Sequence, residues 1–365
     1  MSAEPLRVIQ VGAGSMGRAW LGALADSADV TLAGLVDLDV DAARLAAAEC
    51  GHPDVPVAAT LDGLADVVAD AVLNVTVPAA HRAVSTEALL AGRPVLCEKP
   101  LAETVADGLA MVAAARVGKQ LLMVSQSRRY WANLTAFRRL LAQIGPVGIL
   151  DCQLFRGPRF GGFRDEMDDP LLVDMAIHQF DLARDLLGGD PTAVYCESYN
   201  PAWSWYRGDA AAEATFEFGG GKRFHFSGSW CSPGLETSWN GTWRASGAGG
   251  TALWNGDDAP VGQDVDGRAI EVDVVPEPEG IAGSLAEFVA AVRAGASPAT
   301  EAGGNVLSLS MVEAAVQSAR EHCRIDIAQV LADAHAAALA ADHPPEVAAE
   351  LRSWSAVPPS ETTAA

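Results

Sequence analysis

The period of the hydrophobic pattern along this chain changes near residue 125. Before it, short apolar runs alternate with amphipathic stretches. Residues 6–11 (Leu-Arg-Val-Ile-Gln-Val) read as a strand, and Trp20, Leu21 and Leu24 then share one face of a helix. Strand-like runs recur at 30–36, at Val57, and at 71–75, 94–97 and 121–125, with helical patterns at 41–49, 61–68, 79–91 and 105–117 between them. Strands and helices alternating at this length predict a doubly wound parallel sheet of Rossmann type with right-handed crossovers.

After residue 125 the rhythm breaks. A helix at 132–141 leads through Gly145-Pro146 to a strand at 147–155. A polar, glycine-rich loop (156–170) follows, and then a helical stretch at 171–189. Strand-like runs at 193–198, 211–218, 223–229, 239–246 and 251–254 are joined by short glycine-rich links, Gly219-Gly220-Gly221 being the clearest, which predicts antiparallel pairing. Helices at 284–294, 303–321 and 326–341 complete the pattern. The expected architecture is a dinucleotide-binding α/β domain (1–125), an α+β domain with an open, largely antiparallel sheet (126–327) and a C-terminal extension (328–365) ending in a mobile tail from Pro358.

Chemistry enters at the first strand end. Gly12-Ala13-Gly14-Ser15-Met16-Gly17 has the G-x-G-x-x-G spacing in the setting that this motif requires, with a strand before it and a helix after. The first glycine permits a tight turn, and the second lets a pyrophosphate approach the backbone. The third lets helix and strand pack closely, while the helix N-terminus offers N–H groups to the anion. Asp37 ends the second strand, 20 residues beyond Gly17, where a carboxylate can accept from both hydroxyls of an adenine ribose. It would repel a 2′-phosphate, and Leu38 supplies no neutralising charge, so NAD is expected over NADP. Thr76, Glu98 and Gln126 also follow strand ends, and in such a sheet the strand ends form the ligand edge. Lys99 lies on the same edge, where an ammonium could hydrogen-bond a hydroxyl and stabilise developing alkoxide character.

The stretch at 171–189 carries the second constellation. At helical spacing Asp174, His178 and Asp181 share a face, with Ile177, Leu182 and Leu186 forming an apolar stripe on the other side. A carboxylate one turn before a histidine can orient the imidazole and raise its basicity, as a general base needs. On its own the stretch reads first as a core helix with a satisfied histidine, and the glycine turn, the edge lysine and the domain boundary reverse that reading towards catalysis. Asp181, one turn further on, suits bracing the helix better than touching substrate. Arg156, opening the loop, and Trp205, in the loop-borne Trp203-Ser204-Trp205-Tyr206, are candidate substrate contacts.

Composition narrows the partners. The 365 residues carry 25 Lys plus Arg against 47 Asp plus Glu, a formal net charge of −22, which argues against nucleic acid or an anionic membrane surface. The six cysteines show neither redox-motif nor metal-knuckle spacing, so no metal site and no disulfide framework are expected. No run approaches the ~20 apolar residues of a membrane span, and the chain enters its first strand with no apolar leader, so the cytoplasm is the expected location.

With the glycine turn, Glu98-Lys99-Pro100 and the Asp174/His178 stretch in hand, the chain resembles the Gfo/Idh/MocA family of nicotinamide-dependent oxidoreductases, from about Leu6 to Ile327. Gly247-Ala248-Gly249-Gly250-Thr251 looks like that family's glycine turn between sheet strands. The resemblance implies that Lys99, Asp174 and His178 form the catalytic set. It also implies that Gly12, Gly14, Ser15, Met16, Gly17, Asp37, Thr76, Pro78, His81, Glu98, Lys99 and Gln126 contact the cofactor, and that copies associate as dimers or tetramers through the open sheet. The implied activity is hydride transfer between NAD and a secondary alcohol of a sugar, inositol or glycoside. Redox-assisted glycoside cleavage on the same fold and a non-catalytic NAD sensor are the rival readings. Ala176 stands where the family often has glycine, and Asn133 falls near a common proline; the loop 156–170 matches no subfamily pattern.

Overall fold

The computed structural model describes residues 4–355, so the tail expected from Pro358 lies outside the described residues. The chain divides into two compact units, one built from the residues up to Ser127, Pro278–Val306 and the residues from Ala332 onward, the other from Arg128–Glu277 and Leu307–Leu331. A single crossing near residue 125 was expected. The chain in fact returns to the first unit at Pro278 and again at Ala332, because apolar faces of the later helices pack there.

In the first unit the elements run β1 (Leu6–Val11), α1 (Ser15–Asp26), β2 (Val30–Val36), α2 (Val40–Glu49), β3 (Val57–Ala58), β4 (Ala71–Asn74), α3 (Pro78–Leu90), β5 (Val95–Glu98), α4 (Val105–Gly118) and β6 (Leu122–Ser125). The pairings between these strands are all parallel, in the order β3-β2-β1-β4-β5-β6. This is the doubly wound order whose direction reverses beside β1, so the crevice falls at the end of β1. The helix expected at 61–68 is only a 3₁₀ turn at Asp62–Leu64. Leu61 and Leu64, three apart, are both buried, which suits a three-residue turn, and Gly63 weakens any longer helix.

In the second unit the elements run α5 (Ala132–Gln143), β7 (Val147–Phe155), α6 (Ala176–Leu187), β8 (Pro191–Tyr199), β9 (Ala211–Phe218), β10 (Arg223–Ser229), β11 (Thr242–Gly247), β12 (Gly250–Trp254), β13 (Val261–Asp264) and β14 (Ala269–Ile270). Of the remaining elements, α7 (Gly280–Ala294) and α10 (Pro345–Ser353) belong to the first unit, α8 (Ala302–Glu321) and α9 (Ile327–Ala340) are divided between the two, and β15 (Ile325–Asp326) closes the far edge of the second unit's sheet. The sheet order is β14-β13-β12-β11-β7-β10-β9-β8-β15. Its pairing is antiparallel as expected, except between β7 and β10, which run parallel. The short strands β13, β14 and β15 carry too few residues to show a period, and the sequence did not announce them.

One face of this sheet is apolar and covered. Phe216, Phe218, Phe224 and Phe226 point inward at alternate positions, and Phe180 of α6 meets Phe216 and Phe226 edge-on at 4.7 and 5.3 Å between ring centres. The inner end of α6 is fixed by charge. Asp181 is buried and takes both a 2.6 Å and a 2.9 Å bond from the Arg129 guanidinium, plus a 2.6 Å bond from the Ser308 hydroxyl. Arg129 and Arg138 both bond Asp185 one turn on, at 3.2 and 2.7 Å. Asp181 therefore braces α6 against its neighbours.

Burial alone would push the Asp181 carboxyl upward, but the charge and hydrogen bonds of Arg129, together with Ser308, outweigh it and hold the group below the ordinary carboxylate range. A depressed folded value adds stability above the unfolded value of about pH 4, and that stability is lost as the pH falls through the lower folded one. Asp181→Asn leaves Arg129 buried with half of its compensation and is expected to lose about 3–5 kcal/mol at pH 7. Urea unfolding at pH 7 and again below pH 4 checks this: the variant loses less on acidification than the wild type, and equal losses contradict the assignment.

Candidate active site

The first unit gathers its candidates at the carboxyl ends of its strands. Gly12 adopts φ 105°, and a Cβ there would sit 2.5 Å from the Val75 carbonyl oxygen, so the turn after β1 accepts only glycine. A Cβ on Gly17 would lie 2.4 Å from the Gly12 oxygen. Gly14 has nothing within 4 Å, and Ser15 and Met16 are exposed beside it. The turn is thus closed on the protein side and open on the other. Gln10, which no local motif marks, is fully buried and donates its side-chain amide to the Gly12 and Gly17 oxygens at 2.8 and 2.9 Å, tying the turn to α1.

Asp37 follows β2 and accepts from the Ala13 N–H at 2.7 Å, which fixes its carboxylate beside the glycine turn. Each carboxylate oxygen keeps further lone pairs for a ribose hydroxyl. Thr76 donates to the buried Asn74 at 2.7 Å, and Pro78 opens α3. His81 faces inward between two loops, with Nδ1 2.9 Å from the Pro100 carbonyl and Nε2 3.1 Å from the Thr76 carbonyl. Burial lowers its pKa despite these acceptors, so the ring is neutral near pH 7 and donates to one carbonyl at a time. It pins together the loops after β4 and β5. Glu98 is also turned inward: it accepts from the Trp20 indole at 2.8 Å and from the Lys99 N–H at 3.0 Å, and burial raises its pKa. Lys99 is half-buried, joined to Pro100 by a cis peptide bond. Gln126 is buried at the end of β6, with neither side-chain polar atom bonded within the protein.

In the second unit the expected single helix at 171–189 is split. Leu171–Met175 form a wide π turn, and the regular helix begins at Ala176. Asp174 therefore sits in the wide turn, and the three-and-four spacing that linked it to His178 and Asp181 runs along a regular helix only from His178 onward. The Asp174 carboxylate accepts from Arg164 Nε at 2.8 Å, and His178 is buried on α6. Arg164 was not foreseen, since nothing local marks one arginine of a loop as the partner of a residue ten positions on. Arg156 pairs with Glu236 at 3.0 Å and lies 4.2 Å over the Trp239 ring. Trp205 carries Arg159 over its ring at 3.8 Å.

Two family models match the chain: an oxidoreductase family with an NAD-binding Rossmann fold over residues 6–126, and the Gfo/Idh/MocA C-terminal domain over residues 110–253. The chain belongs to the Gfo/Idh/MocA family. Relatives of this Gfo/Idh/MocA chain include the uncharacterized protein y4oX of Sinorhizobium fredii, 29% identical over 259 residues that cover 68% of this chain and 72% of that protein. Inositol 2-dehydrogenase 1 of Saccharopolyspora erythraea is 33% identical over 196 residues, covering 52% of this chain and 56% of that enzyme. A crystal structure of an oxidoreductase from Agrobacterium radiobacter, in complex with NAD+, L-tartaric acid and magnesium, shares the fold with a TM-score of 0.83 at 21% identity, covering 90% of this chain and 100% of that one.

The residues present fit NAD. The Gfo/Idh/MocA turn offers an open glycine, a helix α1 with no side-chain cap over its first N–H groups, a fixed carboxylate at Asp37 and a buried, unbonded amide at Gln126. No helix of the described residues is long and apolar enough to cross a membrane. Asp37→Ala removes the carboxylate expected to accept from the ribose and to repel a 2′-phosphate. A titration of protein fluorescence with NADH and NADPH is expected to show NADH weakened about ten- to a hundredfold, the value of one or two charge-assisted hydrogen bonds, and the preference for NADH narrowed. An unchanged ratio of the two affinities contradicts the role of Asp37.

Proposed function

We propose that this protein reversibly oxidises a secondary alcohol of a sugar, inositol or glycoside with NAD. The observation that carries the reading is a buried histidine, His178, on a helix entered through the turn that holds Asp174, in a chain whose other unit has the NAD turn. The similarity to inositol 2-dehydrogenase 1 supports the substrate class, over a little more than half of that relative's length.

In this reading His178 takes the hydroxyl proton. Asp174 stabilises the resulting imidazolium, and Arg164 holds Asp174 in place. Lys99 orients the substrate oxygen and offsets its developing negative charge. NAD, when bound, accepts the hydride from the carbon. Loss of a positioned acid–base group costs on the order of 10²–10⁴-fold in rate. His178→Ala is therefore expected to lose at least that much in kcat while NADH affinity stays within about twofold, measured by NADH absorbance and by titration. Equal loss of both marks a structural histidine. Glycoside cleavage without net NADH would instead support the redox-assisted cleavage reading, and a polyol panel that stays blank across pH would support a sensor.

The open sheet face supports a homo-oligomer as part of the same proposal. Ile149, Tyr195, Leu253 and Val261 stand exposed on it, and exposed apolar groups gathered on one face mark association surfaces. Ile149→Glu is expected to shift the mass seen by light scattering towards the monomer. An unchanged mass contradicts this surface.

A further inference from the structure

Arginines gather in the second unit of a chain whose net charge is −22. Arg128 and Arg156 both reach the turn at 236–240. Arg156 lies on Trp239, donates to the Thr237 carbonyl at 2.8 Å and pairs with Glu236 at 3.0 Å. Its Nε is buried and has no hydrogen-bond partner. Arg128 donates to the Asn240 side-chain oxygen at 2.7 Å, and Asn240 is itself locked by a 2.8 Å bond to the Gly256 carbonyl. The Arg128 Nε is likewise buried and unbonded, and among the described residues no carboxylate lies within ion-pair distance of this guanidinium.

A charge without a counter-charge in a poorly solvated site is expensive; half-buried Arg128 has only the neutral Asn240 amide oxygen, whereas Arg156 has Glu236. Here two like charges converge on one turn. Burial, and then the charge of Arg156, pull Arg128 down to about 10. The pair is also connected to the candidate chemistry through packed side chains. Trp239 stacks on Phe160 at 6.3 Å, Arg164 lies 5.5 Å over Phe160, and Arg164 holds Asp174.

We propose that Arg128 and Arg156 form an anion-binding subsite that takes a carboxylate or phosphate carried by the substrate, so that the favoured substrate is an acidic or phosphorylated sugar rather than a neutral polyol. Arg128 gives one Nη1 bond to Asn240 and keeps further N–H donors with no carboxylate to receive them, and guanidinium N–H groups from two arginines at one turn suit the oxygens of an anion. The word substrate rests on the oxidoreductase reading above; the subsite itself rests on the two arginines.

The test has a binding arm and a turnover arm. Thermal melting of the NADH-loaded protein is followed with D-gluconate, inorganic phosphate or myo-inositol at fixed ionic strength. NADH formation is followed with D-gluconate, D-glucose 6-phosphate and D-glucose. The wild type is expected to be stabilised by an anion well above myo-inositol, and whether the carboxylate or the phosphate acts more strongly identifies the group. Arg128→Met replaces an uncompensated buried charge by an apolar chain of similar length. It is expected to melt higher than the wild type without anions and to lose the anion's stabilisation, and to reduce the ratio of anionic to neutral kcat/KM about ten- to a hundredfold. Arg156→Gln is expected to reduce the same ratio and guards against a fold effect peculiar to one variant. Anion stabilisation that survives in both variants, or a uniform loss on anionic and neutral substrates, overturns the subsite. Arginine-dependent anion binding with no turnover on any substrate upholds the subsite and overturns the oxidoreductase reading. Turnover of D-glucose with no anion response does the reverse.

Discussion

The contact on which the first unit depends is the one between Gly17 and the Gly12 carbonyl. No side chain fits there, so α1 starts in near contact with the strand it follows, and its first N–H groups face the open side of the turn. Gln10 secures this from beneath by bonding both glycine carbonyls, and Trp20, further along α1, reaches Glu98 at the end of β5. Glu98 in turn holds the N–H of Lys99. The position of the edge lysine is thus coupled, through buried polar bonds, to the same helix that follows the glycine turn. Buried hydrogen bonds of this kind contribute little net energy each, but they are costly to leave unmade, which makes the arrangement specific rather than merely stable.

The second unit divides labour along one stretch of chain. From Ala176 onward α6 belongs to the core: Phe180 packs on the sheet and Asp181 is clamped by Arg129 and Ser308. Ahead of it, Asp174 faces a loop that supplies Arg164, Phe160 and Arg156. Charge in the core half is compensated within the protein, as burial requires. In the loop half it is also paired, Arg164 with Asp174 and Arg156 with Glu236, and Arg128 beside it is the guanidinium with no carboxylate partner among the described residues.

What was legible in the sequence was local. The glycine turn, Asp37 and the alternation of strands and helices are written in neighbouring residues, and the family resemblance rests on the same short motifs. The bracing role of Asp181 could be read from its place one turn beyond the histidine. What was not legible depends on distant partners. The pairing of Arg164 with Asp174, the support of the turn by Gln10, the parallel register of β10 on β7 and the return of residues 278–306 to the first unit are all set by packing between segments far apart in the chain. The helix at 61–68 failed for a related reason. Its two leucines satisfy the core in a single tight turn, so burial did not require the rest.

The wide turn at Leu171–Met175 has a consequence for how this protein can change. A regular helix turns by about 100° per residue, so every side chain along it is bound to one phase, and a residue inserted upstream would rotate all that precedes it. The extra residue held in a π turn absorbs that phase slip once, just before Ala176. The core-facing register of Phe180 and Asp181 is thereby uncoupled from the direction in which the loop arrives. Changes of length or side chain in residues 156–170 can therefore alter how the loop arrives without turning the helix in its socket.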